Sequence, residues 1–167
     1  MSLKVIDQKL VDATIERARN SPRRRTNFNF HTDYSDPINR LLNAIEPGTY
    51  VRPHKHENPD KREIFIILTG SVMVITFDDQ GHINGSVKLC SKAGTYGIEI
   101  PEKVWHTVIS LESGSVLYEV KDGPYAQISD KNFASWAPAE GSPECAGYLD
   151  KVLKELSGTG TEPRFNH

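Results

Sequence analysis

An all-β barrel or sandwich with one short helix at each end is the fold class this sequence predicts. Three patterns predict it. Between Thr26 and Tyr125 the chain offers short runs rich in Ile, Val and Phe, few longer than eight residues. Turn signals separate those runs at a spacing of about ten residues, the rhythm of an antiparallel β domain. On either side of this region the apolar period switches to about 3.6 residues, the signature of an amphipathic helix.

The elements follow in order. Residues 5–19 read as a helix because Leu10, Val11, Thr14, Ile15 and Ala18 share one face. Asp7 is placed to cap it. Ser21-Pro22 ends it, since a residue before proline is pushed out of the α region. Phe28 and Phe30 alternate with Asn27, Asn29 and His31, a strand pattern. Residues 38–45 are mixed and fit strand better than helix. Strands follow at Glu63–Thr69, Val72–Phe77, Ser86–Cys90, Tyr96–Ile100, His106–Leu111 and Val116–Lys121. Pro47-Gly48, Thr69-Gly70, Asp79-Gln80-Gly81, Ala93-Gly94 and Ser113-Gly114 supply the turns. From Pro143, residues Ala146, Leu149, Val152, Leu153 and Leu156 form a second helical stripe. Ser142 is placed as its N-cap, Pro143 at its first position and Gly158 just past its end. Residues 159–167 read as a frayed tail. The expected organisation is one domain over 1–167: a helix within 1–20, a barrel core over 26–126 and a helix over 143–157.

Composition narrows the function. At 167 residues a chain can bury roughly 70% of its unfolded surface without disulfide staples. Twenty Lys and Arg against 22 Asp and Glu give a net charge of −2, which excludes a protein devoted to nucleic-acid phosphates. Charges within the first 20 residues exclude a signal-peptide core, and the longest apolar run, Ile64–Leu68, is far short of the ~20 residues of a membrane span. Two cysteines are too few for a disulfide scaffold. A cytoplasmic protein is expected.

Chemistry concentrates in the histidines. In a strand, His54 and His56 project side by side on one face, at a spacing one metal ion can bridge. Glu63 opens the next apolar strand and His106 a later one. Three imidazoles and one carboxylate make a common first shell for a divalent transition metal, here zinc, iron, manganese or nickel. The same two-residue parity carries inward-pointing positions back to Tyr50 and Arg52. An inward arginine calls for an anion or a carboxylate, either a ligand's or an internal one such as Glu119. Arg23, Arg24 and Arg25 belong to an arginine-rich stretch without acids. It reads either as a solvated face or as an anion clamp at the barrel mouth. Asn27, Asn29 and His31 form one polar strand face, which either meets solvent or faces the pocket and hydrogen-bonds sugar hydroxyls. Glu119, Lys121 and Tyr125 are candidate acid–base groups.

The pattern Gly48-x5-His54-x-His56-x6-Glu63-x6-Gly70 resembles the first motif of the cupin superfamily, and Pro101-x4-His106 resembles the second. The loop from His56 to Glu63 is two or three residues longer than the usual cupin spacing, which leaves Glu63 the conditional member of the ligand set. Lys103 stands where the second motif has glycine, and Ser110 where it often has asparagine. The stretches 21–31, 40–45, 52–56, 119–125 and 133–138 further resemble the WbuC-type cupin-fold metalloprotein family. That resemblance implies a cupin-type double-stranded β-helix (jelly-roll) barrel, a metal site, and a link to bacterial surface polysaccharide and O-antigen biosynthesis. Three functions fit: a metal-dependent isomerase or epimerase acting on a small anionic carbohydrate such as a sugar phosphate or nucleotide sugar; an iron(II) dioxygenase; and a non-catalytic sugar- or metabolite-binding module. The partner expected is a small anionic ligand, with neither nucleic acid nor membrane. A homodimer follows by analogy with cupins.

Overall fold

The structure is a computed structural model and describes residues 3–124 and 132–159, without the side chains of 158 and 159. The N-terminal helix α1 spans Gln8–Arg19. Its cap is the predicted one: the Asp7 carboxylate accepts from the Leu10 N–H at 2.9 Å. Among the described residues ten strands follow: β1 (Arg25–Asn29), β2 (Ile38–Ile45), β3 (His54–Lys55), β4 (Glu63–Thr69), β5 (Ser71–Phe77), β6 (Ile83–Cys90), β7 (Gly97–Ile100), β8 (Trp105–Ser110), β9 (Ser115–Asp122) and β10 (Asn132–Phe133). Helix α2 spans Glu144–Thr159. It therefore starts one residue later than expected and continues through Gly158. The mixed segment 38–45 is a strand along its whole length.

The strands form two five-stranded sheets, ordered β1-β2-β9-β4-β7 and β10-β3-β8-β5-β6, with every pairing between them antiparallel. Facing sheets bury the inward side of each strand. Ile45, Phe65, Ile67, Val72, Val74, Val87, Leu89, Val108 and Leu117 fill the space between them. The outward faces are covered separately. Val11 and Ala18 of α1 pack on Leu42, Ala44 and Val116. Leu149 and Val152 of α2 pack in the cluster of Tyr50, Ile75, Phe77 and Ile109. Burying one such aliphatic side chain contributes about 1.5–3 kcal/mol.

Two turns depend on glycine. Gly70, between β4 and β5, has φ +75°, and an added Cβ would lie 2.4 Å from Ser115 Oγ. That hydroxyl accepts from the Ser71 N–H at 3.1 Å, so the tight approach knits β5 to β9. Gly81 has φ +88° and lies against the Trp136 ring, where a Cβ would come within 2.6 Å. Trp136 thereby seals the α2 side of the second sheet, beside Phe77 and Trp105.

Inward parity does not extend to Tyr50 and Arg52. Regular pairing begins only at His54, so the two-residue alternation does not reach back to position 50. Tyr50 packs with the α2 cluster instead, and its hydroxyl donates to the Pro138 carbonyl at 2.8 Å. Burial there raises its phenol well above the usual range.

Candidate metal centre

Four side chains from both sheets meet inside the barrel. His54 on β3 lies directly across from His106 on β8. His56 follows two residues on, and Glu63 opens β4 in the opposite sheet. One ligand atom from each of the four falls within 4.8 Å of the others, and all four residues are buried. The imidazole centroids of His54 and His106 are 4.4 Å apart, and those of His54 and His56 are 5.3 Å apart. The longer loop after His56 does not remove Glu63 from the group. Its Oε2 lies 3.0 Å from His106 Nε2 and 3.4 Å from His56 Nε2.

The backbone orients the rings. His54 Nδ1 contacts the Arg52 carbonyl at 3.0 Å, and His106 Nδ1 contacts the Val104 carbonyl at 2.9 Å. An Nδ1–H donated to a carbonyl leaves the Nε2 lone pair for the centre, the usual arrangement around a bound metal. His106 then presents a lone pair to the Glu63 carboxylate. Two acceptors at that distance require a cation between them, either a proton or a metal ion. Burial alone pushes the Glu63 carboxyl up. Hydrogen bonds from His106 and His56, with the charges of Lys121 and His106, outweigh burial and hold it well below the usual carboxylate range. A donor set of three imidazoles and one anionic carboxylate therefore fits a divalent transition metal.

The loop to His106 explains one departure from the cupin motif. Lys103 has φ +66°, the left-handed conformation that favours glycine. Its backbone N–H donates to the His56 carbonyl at 3.1 Å, and its ammonium pairs with Asp60 at 2.8 Å. Those contacts tie the second motif to the loop after His56.

The other expected site residues separate. The Arg52 guanidinium donates to the Ala134 carbonyl at 2.7 and 3.2 Å and stacks over Phe133 at 5.5 Å. Arg23 and Arg25 hold Glu140 at 3.1 and 2.5 Å, and Arg24 donates to the Pro47 carbonyl at 3.1 Å. The acid that the arginine stretch lacks locally thus comes from the segment before α2, and Arg23 and Arg25 latch that segment to the start of β1. Asn29 is exposed on β1 and lines a cavity of about 330 Å³ with His31, Thr32, Asp33 and Tyr34. Glu119 and Lys121 are buried on β9, facing the barrel interior with Leu117. Tyr125 lies outside the described residues. Two interior residues escaped the sequence reading, Asn39 and Asn43 on β2. Their signal was present, because strict alternation puts both on the same face as Leu41 and Ile45.

A family model described as a domain of unknown function (DUF6016) matches residues 6–89. A sequence search of curated proteins finds no match. Among solved structures, a salicylate 1,2-dioxygenase from Pseudoaminobacter salicylatoxidans, in complex with gentisate, is similar with a TM-score of 0.56 at 12% identity. The match covers 82% of this chain and 37% of that one. TT1209 from Thermus thermophilus is similar with a TM-score of 0.51 at 20% identity, covering 72% of this chain and 97% of that one. The capsular polysaccharide assembling protein CapF from Staphylococcus aureus gives 0.51 at 17% identity, covering 65% and 29%. At these identities the likeness carries the fold alone, and that fold is the cupin barrel. Among the described residues no helix is long and apolar enough to cross a membrane.

Proposed function

The chain belongs to the family described as a domain of unknown function (DUF6016), and from that premise we propose that it is a divalent-metal cupin acting on a small anionic carbohydrate. The observation that carries the proposal is the buried cluster of His54, His56, Glu63 and His106. The carbohydrate assignment rests on the resemblance to the WbuC-type metalloproteins. On that reading the protein is one cupin domain serving bacterial surface polysaccharide biosynthesis; a cytoplasmic location is proposed from its composition, and a homodimer by analogy with other cupins.

A bound divalent ion would be held by those four residues and would supply Lewis acidity toward a ligand carbonyl or hydroxyl. The chain's own groups do the rest. Glu119 and Lys121 are buried on the inner face of β9, and Lys121 lies directly across from Glu63. In an isomerase or epimerase reading they hold and move the proton at the carbon next to the carbonyl. The apolar side chains of Phe65, Ile67 and Leu117 exclude water below them. Tyr125 is the third candidate acid–base group. Arg23 and Arg25 contact Glu140, and Arg24 and Arg52 contact backbone carbonyls, so an anion at the barrel mouth would compete with those contacts for them.

Metal content by plasma mass spectrometry, on tag-free protein and on His54→Ala and His106→Ala, tests the proposal. About one equivalent in the wild type, lost from both folded variants, supports it. No uptake from iron, manganese, nickel or zinc overturns it. Isomerisation of sugar phosphates or nucleotide sugars by the loaded protein supports the substrate class. Oxygen uptake instead identifies a dioxygenase, and binding without turnover identifies a sugar-binding module.

A further inference from the structure

Strand β2 buries polar groups that the metal cluster does not use. Asn39 is 2% exposed, yet neither its Nδ2 nor its Oδ1 has a hydrogen-bond partner among the described residues. Asn43 donates from Nδ2 to Glu119 Oε2 at 3.0 Å, and its Oδ1 likewise has no partner there. A buried amide without partners lowers stability, and a leucine of similar size would not. Such a group on an inward face is well explained by a ligand that satisfies it.

The register says what that ligand touches. Asn39 lies directly across from Lys121 on β9, and Lys121 lies directly across from Glu63 on β4. No bulge interrupts these pairs, and all three side chains share the inner face with Ile45, Leu117 and Phe65. The row thus runs from the metal cluster across two strand spacings, about 10 Å, to the Asn39 amide. One step along β9 sits Glu119, across from Leu41, and two steps along β2 sits Asn43.

We infer that Asn39 is a ligand-recognition residue, and that the inner face of β2 and β9 is a wall for a hydroxylated acid or sugar of about four to six carbons. The amide offers two donors and an acceptor, Lys121 offers donors, and Glu119 accepts. Alternating hydroxyl and carbonyl or carboxylate oxygens complement that series. A bare phosphate does not, because its oxygens all sit on one atom and cannot span a row of about 10 Å. The inference deepens the proposed function and rests on it only for the end of the ligand that reaches the metal.

The test uses calorimetric binding of D-galacturonate, D-glucose 6-phosphate and inorganic phosphate to zinc-loaded full chain, for wild type and Asn39→Leu. Zinc stoichiometry and the zinc-free Tm are read beside it. The expected result is that a sugar probe binds the wild type and binds Asn39→Leu about tenfold more weakly, as for two lost hydrogen bonds. Zinc content stays unchanged, and the zinc-free Tm rises by several degrees. Asn39→Ala, which removes the amide without adding bulk, is expected to weaken sugar binding equally. Sugar binding unchanged in both variants overturns the inference, as does a lower Tm in Asn39→Leu with Asn39→Ala binding normally. Failure of both sugars to bind the wild type overturns it too. Zinc stoichiometry reads the metal proposal separately: a wild type that takes no zinc, yet binds sugar in an Asn39-dependent way, refutes the metal and keeps the wall.

Discussion

Removing His106 tests the coupling at the centre of the cluster. His106→Ala leaves the Glu63 carboxylate, 2% exposed, without its 3.0 Å partner. Breaking a buried pair by deleting one member costs about 3–5 kcal/mol. Glu63 keeps His56 at 3.4 Å and the charge of Lys121, so the lower figure applies, about 3 kcal/mol. For a chain of this size each kcal/mol moves Tm by about 2–4 °C, so metal-stripped His106→Ala should melt about 6–12 °C lower. Glu63→Gln removes the charge that the deletion strands. The double variant should therefore cost less than the sum of the two singles, with a coupling of about 1–3 kcal/mol. The assay is scanning calorimetry on metal-stripped protein for all four members of the cycle, repeated with zinc. At a zinc concentration about 100 times Kd, the wild type should gain about 2.7 kcal/mol and His106→Ala should lose most of that gain. Additivity within about 0.5 kcal/mol, or an undiminished zinc effect in His106→Ala, would refute the reasoning.

Other consequences are as direct. Glu46 is buried and accepts from Ser113 Oγ at 2.6 Å, the Gly114 N–H at 2.9 Å and Arg19 at 3.3 Å. Burial raises its carboxyl, but these donors outweigh that and leave it below the ordinary value. A depressed carboxyl stabilises the fold above its unfolded pKa of about 4.3 and loses that contribution as pH falls through the lower folded value. Glu46→Gln should therefore lose about 1.5–3 kcal/mol at about pH 7, and the gap to wild type should close below about pH 4 in denaturant titrations. Lys103→Gly should melt about 2–4 °C above Lys103→Ala, since both lose the Asp60 contact and only alanine resists φ +66°; equal melting points would contradict this. Leu42→Ala, beneath α1 and fully buried, should cost about 2–5 kcal/mol by urea unfolding without changing metal stoichiometry.

Much of this molecule is legible one residue at a time. The Ile-, Val- and Phe-rich runs at Glu63–Thr69 and Val72–Phe77, the Asp7 cap and the glycines at the turns are local facts, written in composition and period, so strands and helices can be read off the chain. The histidine pair is local too, because a strand puts residues two apart on one face. What the sequence does not contain is the partner of each group across space. The arginine stretch looks free of acids until Glu140 arrives from more than a hundred residues away. Arg52 looks inward-facing until the irregular backbone before His54 turns it onto Ala134. Glu63 joins the cluster because sheet pairing, and not loop length, sets where β4 begins. Asn39 is an ordinary asparagine in a strand until register places it across from Lys121, inside a barrel whose described residues give its amide nothing to bind. Periodicity fixes which face a side chain takes. Only the closing of two sheets decides what stands opposite it, because hydrogen bonds and charge pairs act over a few ångströms of space, whatever their separation along the chain.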